Sequence, residues 1–125
     1  MSEFKGCLLI DFDGTVVEHQ FPNIGPAMPK AFEVLKELQE YGYKLILWTC
    51  REDGLAGRHC LTEAIEFCLK HGIKFDGINA GIPEHDWRGG TTMPIRKPHA
   101  ICHIDDHNLG GFPGWEAVRK ELLER

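Results

Sequence analysis

Four short apolar runs alternate along the chain with patterns of helical period, and this alternation constrains the fold more than any other feature of the sequence. The runs cover residues 7–10, 45–48, 75–78 and 100–104. Continuous apolar runs of this length are typical of strands buried on both faces of a parallel sheet. The intervening patterns predict helices over about 30–41 and 58–71, and a last helix that starts near Pro113. Right-handed crossovers between such strands place helices on both faces, so we predict a three-layer α/β domain.

Length, composition and charge narrow the class of protein. The chain has 125 residues, 42% of them hydrophobic and 26% charged, which predicts a single globular domain over residues 1–125. A net charge of −5 argues against nucleic acid or an anionic membrane as the partner. No apolar run approaches the ~20 residues that span a bilayer. Five cysteines without a Cys-x-x-Cys pair, and an N-terminus unlike a signal peptide, indicate reduced thiols and a cytoplasmic location.

Polar side chains able to do chemistry follow three of the four predicted strands. They are Asp11, Asp13, Thr49, Arg51, Asp105 and Asp106. Ligands of open parallel sheets bind outside the carboxyl ends of the strands, where the strand order switches. If the first and fourth strands are neighbours, the four aspartates converge there. Their carboxylates would repel one another unless a cation neutralised them, and an all-oxygen ligand set favours Mg²⁺.

The residues at these strand ends resemble the motifs of the haloacid dehalogenase (HAD) superfamily, in its phosphatase branch. The resemblance is carried by residues 11–17 (Asp-Phe-Asp-Gly-Thr-Val-Val), residues 45–49 (Leu-Ile-Leu-Trp-Thr), Lys97 and residues 104–106 (Ile-Asp-Asp). These motifs stand in the family's order, and the resemblance covers nearly the whole chain. It is nearest to the small capless (C0-type) hydrolases of bacteria and phages. It implies a Rossmann-like fold with a mostly parallel sheet, strand order 3-2-1-4 and no cap domain.

The resemblance also implies a reaction and a role for each residue. The protein would hydrolyse a phosphomonoester with Mg²⁺, through an aspartyl-phosphate on Asp11. Asp13 would act as general acid and then as base, and its backbone carbonyl would bind the metal together with the carboxylates of Asp11 and Asp105. Thr49 would donate a hydrogen bond to a phosphoryl oxygen. Asp106 would bind a metal-bound water or orient the lysine of the third motif.

The source of positive charge at the site has more than one candidate. Lys97 fits the family's lysine, which neutralises the nucleophile and the phosphoryl group. It stands only eight residues before Asp105, so a straight strand over 100–104 would place it near the wrong end of the sheet. Either the loop before this strand folds back, or Arg51, Arg88 or Arg96 supplies the charge.

Arg51 is also a candidate for substrate binding. It follows the threonine motif at a strand end, where its guanidinium could clamp a phosphate or a substrate carboxylate bidentately. The alternative is a local ion pair with its neighbours Glu52 or Asp53.

The segments at which HAD phosphatases insert a cap domain are short in this chain. They hold residues 16–28 and 79–98, and a folded domain needs ~40 residues or more. We therefore expect an open site that admits large phosphoesters, unless a homo-oligomer closes it. Residues 16–28 and 79–96 are the candidates for substrate selection. The alternative functions are a phosphotransferase or phosphomutase of the same superfamily, and a binding module that keeps the fold without catalysis.

Overall fold

Four parallel strands form the centre of the protein: β1 (Gly6–Ile10), β2 (Tyr43–Leu47), β3 (Gly77–Ile78) and β4 (Cys102–Ile104). The computed structural model describes residues 3–54, 57–80 and 100–124. Within this part of the chain the strand order is β3-β2-β1-β4, and every pairing is parallel. The α/β class and the strand order expected from the sequence are confirmed.

β1 lies between β2 and β4, and this position determines where the site forms. Leu8 lies opposite Leu45 in β2 and opposite Cys102 in β4. Just beyond β1, the N–H of Asp11 donates to the carbonyl of Ile104 over 3.0 Å. The residues that follow β1 and β4 are therefore held side by side at one edge of the sheet.

The strands are bounded differently from the apolar runs that predicted them. β3 begins at Gly77 and not at Phe75, although the Phe75 side chain is buried. Asp76 explains the difference, because its N–H donates to the Leu45 carbonyl while its carboxylate accepts from the Leu45 N–H. The apolar character of Phe75 thus reflects packing of its side chain and not membership of the strand.

Three helices follow the strands: α1 (Ala31–Tyr41), α2 (Cys60–Lys70) and α3 (Trp115–Leu123). All three pack into one core with the sheet face that carries Leu8 and Leu45. On the opposite face Leu9 and Ile46 are buried in a separate, smaller cluster. The three helices predicted from the sequence thus all lie on one face, and the expected helix on the second face is not found among the described residues, which leave out 81–99 between β3 and β4. None of the described helices is long and apolar enough to cross a membrane.

The segment after β1 is a compact loop that α3 holds in place. The Met28 N–H donates to the Val16 carbonyl over 2.8 Å, which closes the loop. The buried Trp115 indole N–H donates to the Thr15 carbonyl, also over 2.8 Å. The first of the two cap positions therefore holds a short loop and no inserted domain, as expected. The second, over 79–98, lies outside the described residues from residue 81 onward.

Candidate active site

The loop that follows β1 presents Asp11 at the carboxyl edge of the sheet. The Thr15 hydroxyl donates to Asp11 Oδ2 over 3.0 Å, so one carboxylate oxygen is fixed by a residue of the same turn. Gly14 has a φ of +85°, a conformation that L side chains rarely adopt. A Cβ at this position would also overlap the carboxylate of Asp106. Glycine is thus required both for the turn and for the approach of Asp106 to the loop.

The carboxylates of β1 and β4 meet, as the sequence predicted. The pKa of Asp11 is raised from 3.8 to about 7, first because the carboxyl is buried and second because Asp105 lies nearby. Asp106 raises the pKa of Asp11 further, while the hydrogen bond from Thr15 acts in the opposite direction. Mutual repulsion of this kind is what a bound cation would relieve.

Asp105, Asp106 and His107 form a compact set of donor atoms at the end of β4. One donor atom from each lies within 4.8 Å of the other two. Asp105 Oδ1 accepts the His107 N–H over 2.8 Å. Asp106 Oδ1 is buried and has no hydrogen-bond partner among the described residues, since His107 Nε2 is 3.6 Å away. An unpartnered buried carboxylate oxygen beside other carboxylates fits a hard divalent cation such as Mg²⁺, or a water bound to it.

Asp13 lines a cavity with Asp11 and Asp106, and its carboxylate forms a bidentate ion pair with Arg51. Arg51 Nε lies 2.8 Å from Asp13 Oδ2, and Arg51 Nη2 lies 2.8 Å from Asp13 Oδ1. Because Arg51 takes both carboxylate oxygens, it fixes the plane of the Asp13 carboxylate as well as its position. The two residues are 38 positions apart in the chain, and the pairing of β1 with β2 brings them together.

The structure corrects the expectation that Arg51 clamps a substrate anion. Its side chain is only 1% exposed. The guanidinium also donates to the carbonyls of Pro22, Asn23 and Cys60. It is therefore committed to the protein and is not open to a ligand. The alternative of a local ion pair with Glu52 or Asp53 is also wrong, since the acidic partner of Arg51 is Asp13.

Thr49 lies at the carboxyl end of β2, beside the carboxylates. Its N–H donates to Asn79 Oδ1 over 2.7 Å, and its hydroxyl oxygen accepts the Arg51 N–H over 3.1 Å. A threonine hydroxyl has one hydrogen to donate in addition to its acceptor lone pairs. The backbone bond therefore orients the hydroxyl and leaves it able to donate to a phosphoryl oxygen.

The lysine of the third motif lies outside the described residues. Lys97, Arg88 and Arg96 all fall within 81–99, so the choice among them stays a prediction. In the described part of the chain, no lysine or arginine lines the two cavities that contain Asp11.

Two cavities open on Asp11, and their walls include residues that the motifs did not indicate. One, of about 190 Å³, is lined by Asp13, Asp106 and Thr49, and also by His19, Phe21, Cys50 and His107. The other, of about 310 Å³, adds Trp48, Asn79 and Asp105. The motifs had included Trp48 and Asp105 but not His19, Phe21, Cys50, Asn79 or His107. His19 and Phe21 belong to the loop over 16–28, which was expected to select substrate.

A solved structure of a conserved protein from Bacteroides thetaiotaomicron is similar to this chain over most of its length. The two are 40% identical with a TM-score of 0.79, over 95% of this chain and 90% of the other. No family model matches the chain, and no curated protein matches it. Since the Bacteroides protein is described only as conserved, the similarity shows a shared family and a shared fold and does not indicate an activity.

Proposed function

We propose that this chain, which belongs to the same family as the conserved protein from Bacteroides thetaiotaomicron, is a Mg²⁺-dependent phosphatase of the HAD superfamily. The proposed reaction is hydrolysis of a phosphomonoester through an aspartyl-phosphate on Asp11. The observation that carries it is the meeting of Asp11, Asp105 and Asp106 beside a fourth carboxylate, Asp13, which a buried arginine holds. Metal-dependent phosphoryl transfer needs a group of carboxylates that holds the cation and a further carboxylate that transfers a proton.

The residues that would hold Mg²⁺ are the carboxylates of Asp11 and Asp105 and the backbone carbonyl of Asp13, with Asp106 beside a metal-bound water. The bidentate pair with Arg51 supports this division, because the guanidinium already neutralises the Asp13 carboxylate and the backbone carbonyl of Asp13 is left as the donor for the cation. When bound, the cation neutralises the carboxylates and the phosphoryl oxygens.

In the first step, an Asp11 oxygen attacks phosphorus while the bond from phosphorus to the leaving oxygen breaks. Asp13 gives its proton to that leaving oxygen, and the alcohol departs. Thr49 donates a hydrogen bond to a phosphoryl oxygen. In the second step, Asp13 takes a proton from a water that attacks phosphorus, and phosphate and the Asp11 carboxylate are released.

The ion pair with Arg51 is compatible with proton transfer at Asp13. A carboxylate offers about four lone-pair positions, and the guanidinium occupies one on each oxygen. A second lone pair on either oxygen remains for the transferred proton. Arg51 therefore acts as a positioning residue for the acid and base.

A cytoplasmic location is proposed on the state of the cysteines. None of the five forms a disulfide, and three of them are buried in the fold. Burial raises the pKa of the Cys68 thiol to about 12, so this thiol stays protonated and unreactive. Five cysteines without a disulfide are typical of a protein from a reducing compartment.

The test is phosphate release from a panel of phosphomonoesters, with and without Mg²⁺. The variant is Asp11→Asn, and Asp53→Asn is the matched control because Asp53 is exposed and bonds to Thr62 outside the site. We expect Mg²⁺-dependent release by the wild type and the control, and none by Asp11→Asn.

Two results would contradict the proposal. Release without Mg²⁺, or release that survives in Asp11→Asn, would exclude the stated mechanism. A folded protein that releases no phosphate from any ester would favour the binding module. Transfer of the phosphoryl group to an added alcohol in preference to water would favour the phosphotransferase.

A further inference from the structure

Phe21 combines exposure with a place in the wall of the candidate active site. Its side chain is 43% exposed, and it lines the cavity that contains Asp11 and Asp13. Among the exposed large apolar side chains of the described residues, Phe21 alone lines either cavity at Asp11. The ring also contacts the Arg51 guanidinium, and its exposed part is available to a ligand in the cavity.

The loop that carries Phe21 is anchored by hydrogen bonds from two arginines, Arg51 and Arg58. Arg51 donates to the Pro22 carbonyl over 3.4 Å and to the Asn23 carbonyl over 2.9 Å. Arg58 donates to Asn23 Oδ1, also over 2.9 Å. The ring is therefore presented in a fixed place, which lowers the entropy lost when a ligand packs against it.

The position of Phe21 relative to Asp13 indicates which part of a substrate it would meet. The central carbon of the Arg51 guanidinium lies 5.2 Å from the Phe21 ring centre, and the same guanidinium holds Asp13. Asp13 exchanges its proton with the leaving oxygen in the proposed reaction. Phe21 therefore lies near Asp13, the residue that would exchange a proton with the leaving oxygen.

The charge of the cavity restricts the leaving group further. Three carboxylates line it, those of Asp11, Asp13 and Asp106, together with the imidazoles of His19 and His107. No lysine or arginine of the described residues lines it, so this part of the lining favours a neutral leaving group over an anionic one. A neutral planar ring meets an aromatic surface without that repulsion.

We propose that Phe21 determines specificity by packing against an aromatic ring in the leaving group, so that the substrates are phosphomonoesters of alcohols that carry such a ring. This inference rests on the proposed phosphatase function. It assigns to the loop over 16–28 the task of choosing the leaving group.

The test compares benzyl phosphate with cyclohexylmethyl phosphate. Both esters have a primary alkoxide leaving group and a six-membered ring at the same distance from phosphorus. They therefore differ mainly in the planarity and π character of that ring. We expect kcat/KM to favour the benzyl ester by about 2- to 10-fold in the wild type, the range of an aromatic pair beyond its buried area. The preference should disappear in Phe21→Leu and persist in Phe21→Tyr.

Phe4→Leu is the matched control, because Phe4 is also exposed and precedes β1 at the opposite edge of the sheet from Asp11. It should keep the wild-type preference. The ratio of the two esters within one variant cancels any general loss of activity, so a partly destabilised Phe21→Leu remains informative.

Three outcomes decide the matter. Hydrolysis of both esters without preference in the wild type, or a preference unchanged in Phe21→Leu, would overturn the inference and leave the phosphatase function standing. Failure of the Mg²⁺-loaded wild type to hydrolyse any ester would overturn both. If the wild type prefers a ribonucleoside 5′-monophosphate to ribose 5-phosphate, and Phe21→Leu loses this preference, the ring that Phe21 meets is a nucleobase. If there is no such preference, the ring of the leaving group lies nearer to phosphorus than a nucleobase does.

Discussion

Replacing Asp11 by asparagine should make the metal-free protein more stable at pH 8, although it removes the proposed nucleophile. Asparagine has the shape of the aspartate and keeps an oxygen to accept the Thr15 hydroxyl. Its amide can also donate to Asp106, which lies within hydrogen-bond reach. The substitution therefore removes a buried negative charge beside two others and keeps the local bonds.

The pH dependence of this effect follows from the raised pKa of Asp11. In the unfolded chain the carboxyl loses its proton near pH 3.8, whereas in the folded protein it does so near pH 7. Between these values the folded state binds more protons, so wild-type stability falls as the pH rises and the penalty is complete above pH 7. The stability gained by Asp11→Asn should be near zero at pH 4 and should reach its full value by pH 8.

The size of the gain can be bounded. At about 1.4 kcal/mol for each pKa unit, a rise from 3.8 to about 7 corresponds to at most about 4.5 kcal/mol. Asp11 is partly exposed, so water screens part of this, and we expect a gain of about 1–3 kcal/mol at pH 8.

Urea unfolding of both proteins in a chelator, at pH 5 and pH 8, measures the gain. Asp53→Asn is the control with the opposite sign, because hydrogen bonds from Thr62 lower the pKa of Asp53. That variant should lose stability at pH 8. Equal or lower stability of Asp11→Asn at pH 8, or a gain that does not change with pH, would refute the reasoning about the carboxylate cluster.

Further substitutions test the individual roles. Asp13→Asn should lower turnover by about 10²- to 10⁴-fold, the usual contribution of a general acid or base, with unchanged dependence on Mg²⁺; a matching loss of metal affinity would contradict its role. Asp105→Asn should raise the Mg²⁺ concentration needed for half-maximal activity, and an unchanged requirement would exclude Asp105 as a ligand. Arg51→Lys should cost about 3–5 kcal/mol in urea unfolding and lower kcat more than it raises KM, because an ammonium cannot replace the buried fork. Gly14→Ala should lower the free energy of unfolding by about 1–3 kcal/mol because residue 14 has a positive φ. It should also reduce activity, since a Cβ would displace the Asp106 carboxylate. An active variant of wild-type stability would show that the turn tolerates a Cβ.

The convergence of the carboxylates was predictable because local patterns place them at strand ends and the HAD resemblance implies that the first and fourth strands are neighbours. Apolar runs mark the strands, the polar residues after them mark the strand ends, and parallel pairing brings those ends together. Asp11 and Asp105 could therefore be placed at one edge before the structure was known. The strand bounds were less certain, since the side chain of Phe75 is buried whether or not its backbone joins the sheet.

The partner of Arg51 was not predictable in the same way. The acidic residues nearest to it in sequence are Glu52 and Asp53, and no pattern favours a residue 38 positions away over its neighbours. The pairing with Asp13 depends on the parallel register of β1 and β2 and on the path of the loop after β1. The sequence did not indicate Phe21 for a related reason, because a single aromatic residue in a loop has no periodicity that shows which way its side chain faces.

The proposed nucleophile can be tested most directly by trapping the aspartyl-phosphate. An aryl phosphate is suited to this, since its leaving group departs readily without a general acid, and Asp13→Asn then slows only the hydrolysis of the intermediate. Borohydride reduces an acyl phosphate to an alcohol and would convert residue 11 to homoserine, which mass spectrometry of the peptide identifies. We predict homoserine at position 11 when Mg²⁺ and the ester are both present, in greater yield in Asp13→Asn than in the wild type. Release of phosphate with Asp11 unmodified in both proteins would contradict the assignment of Asp11 as the nucleophile.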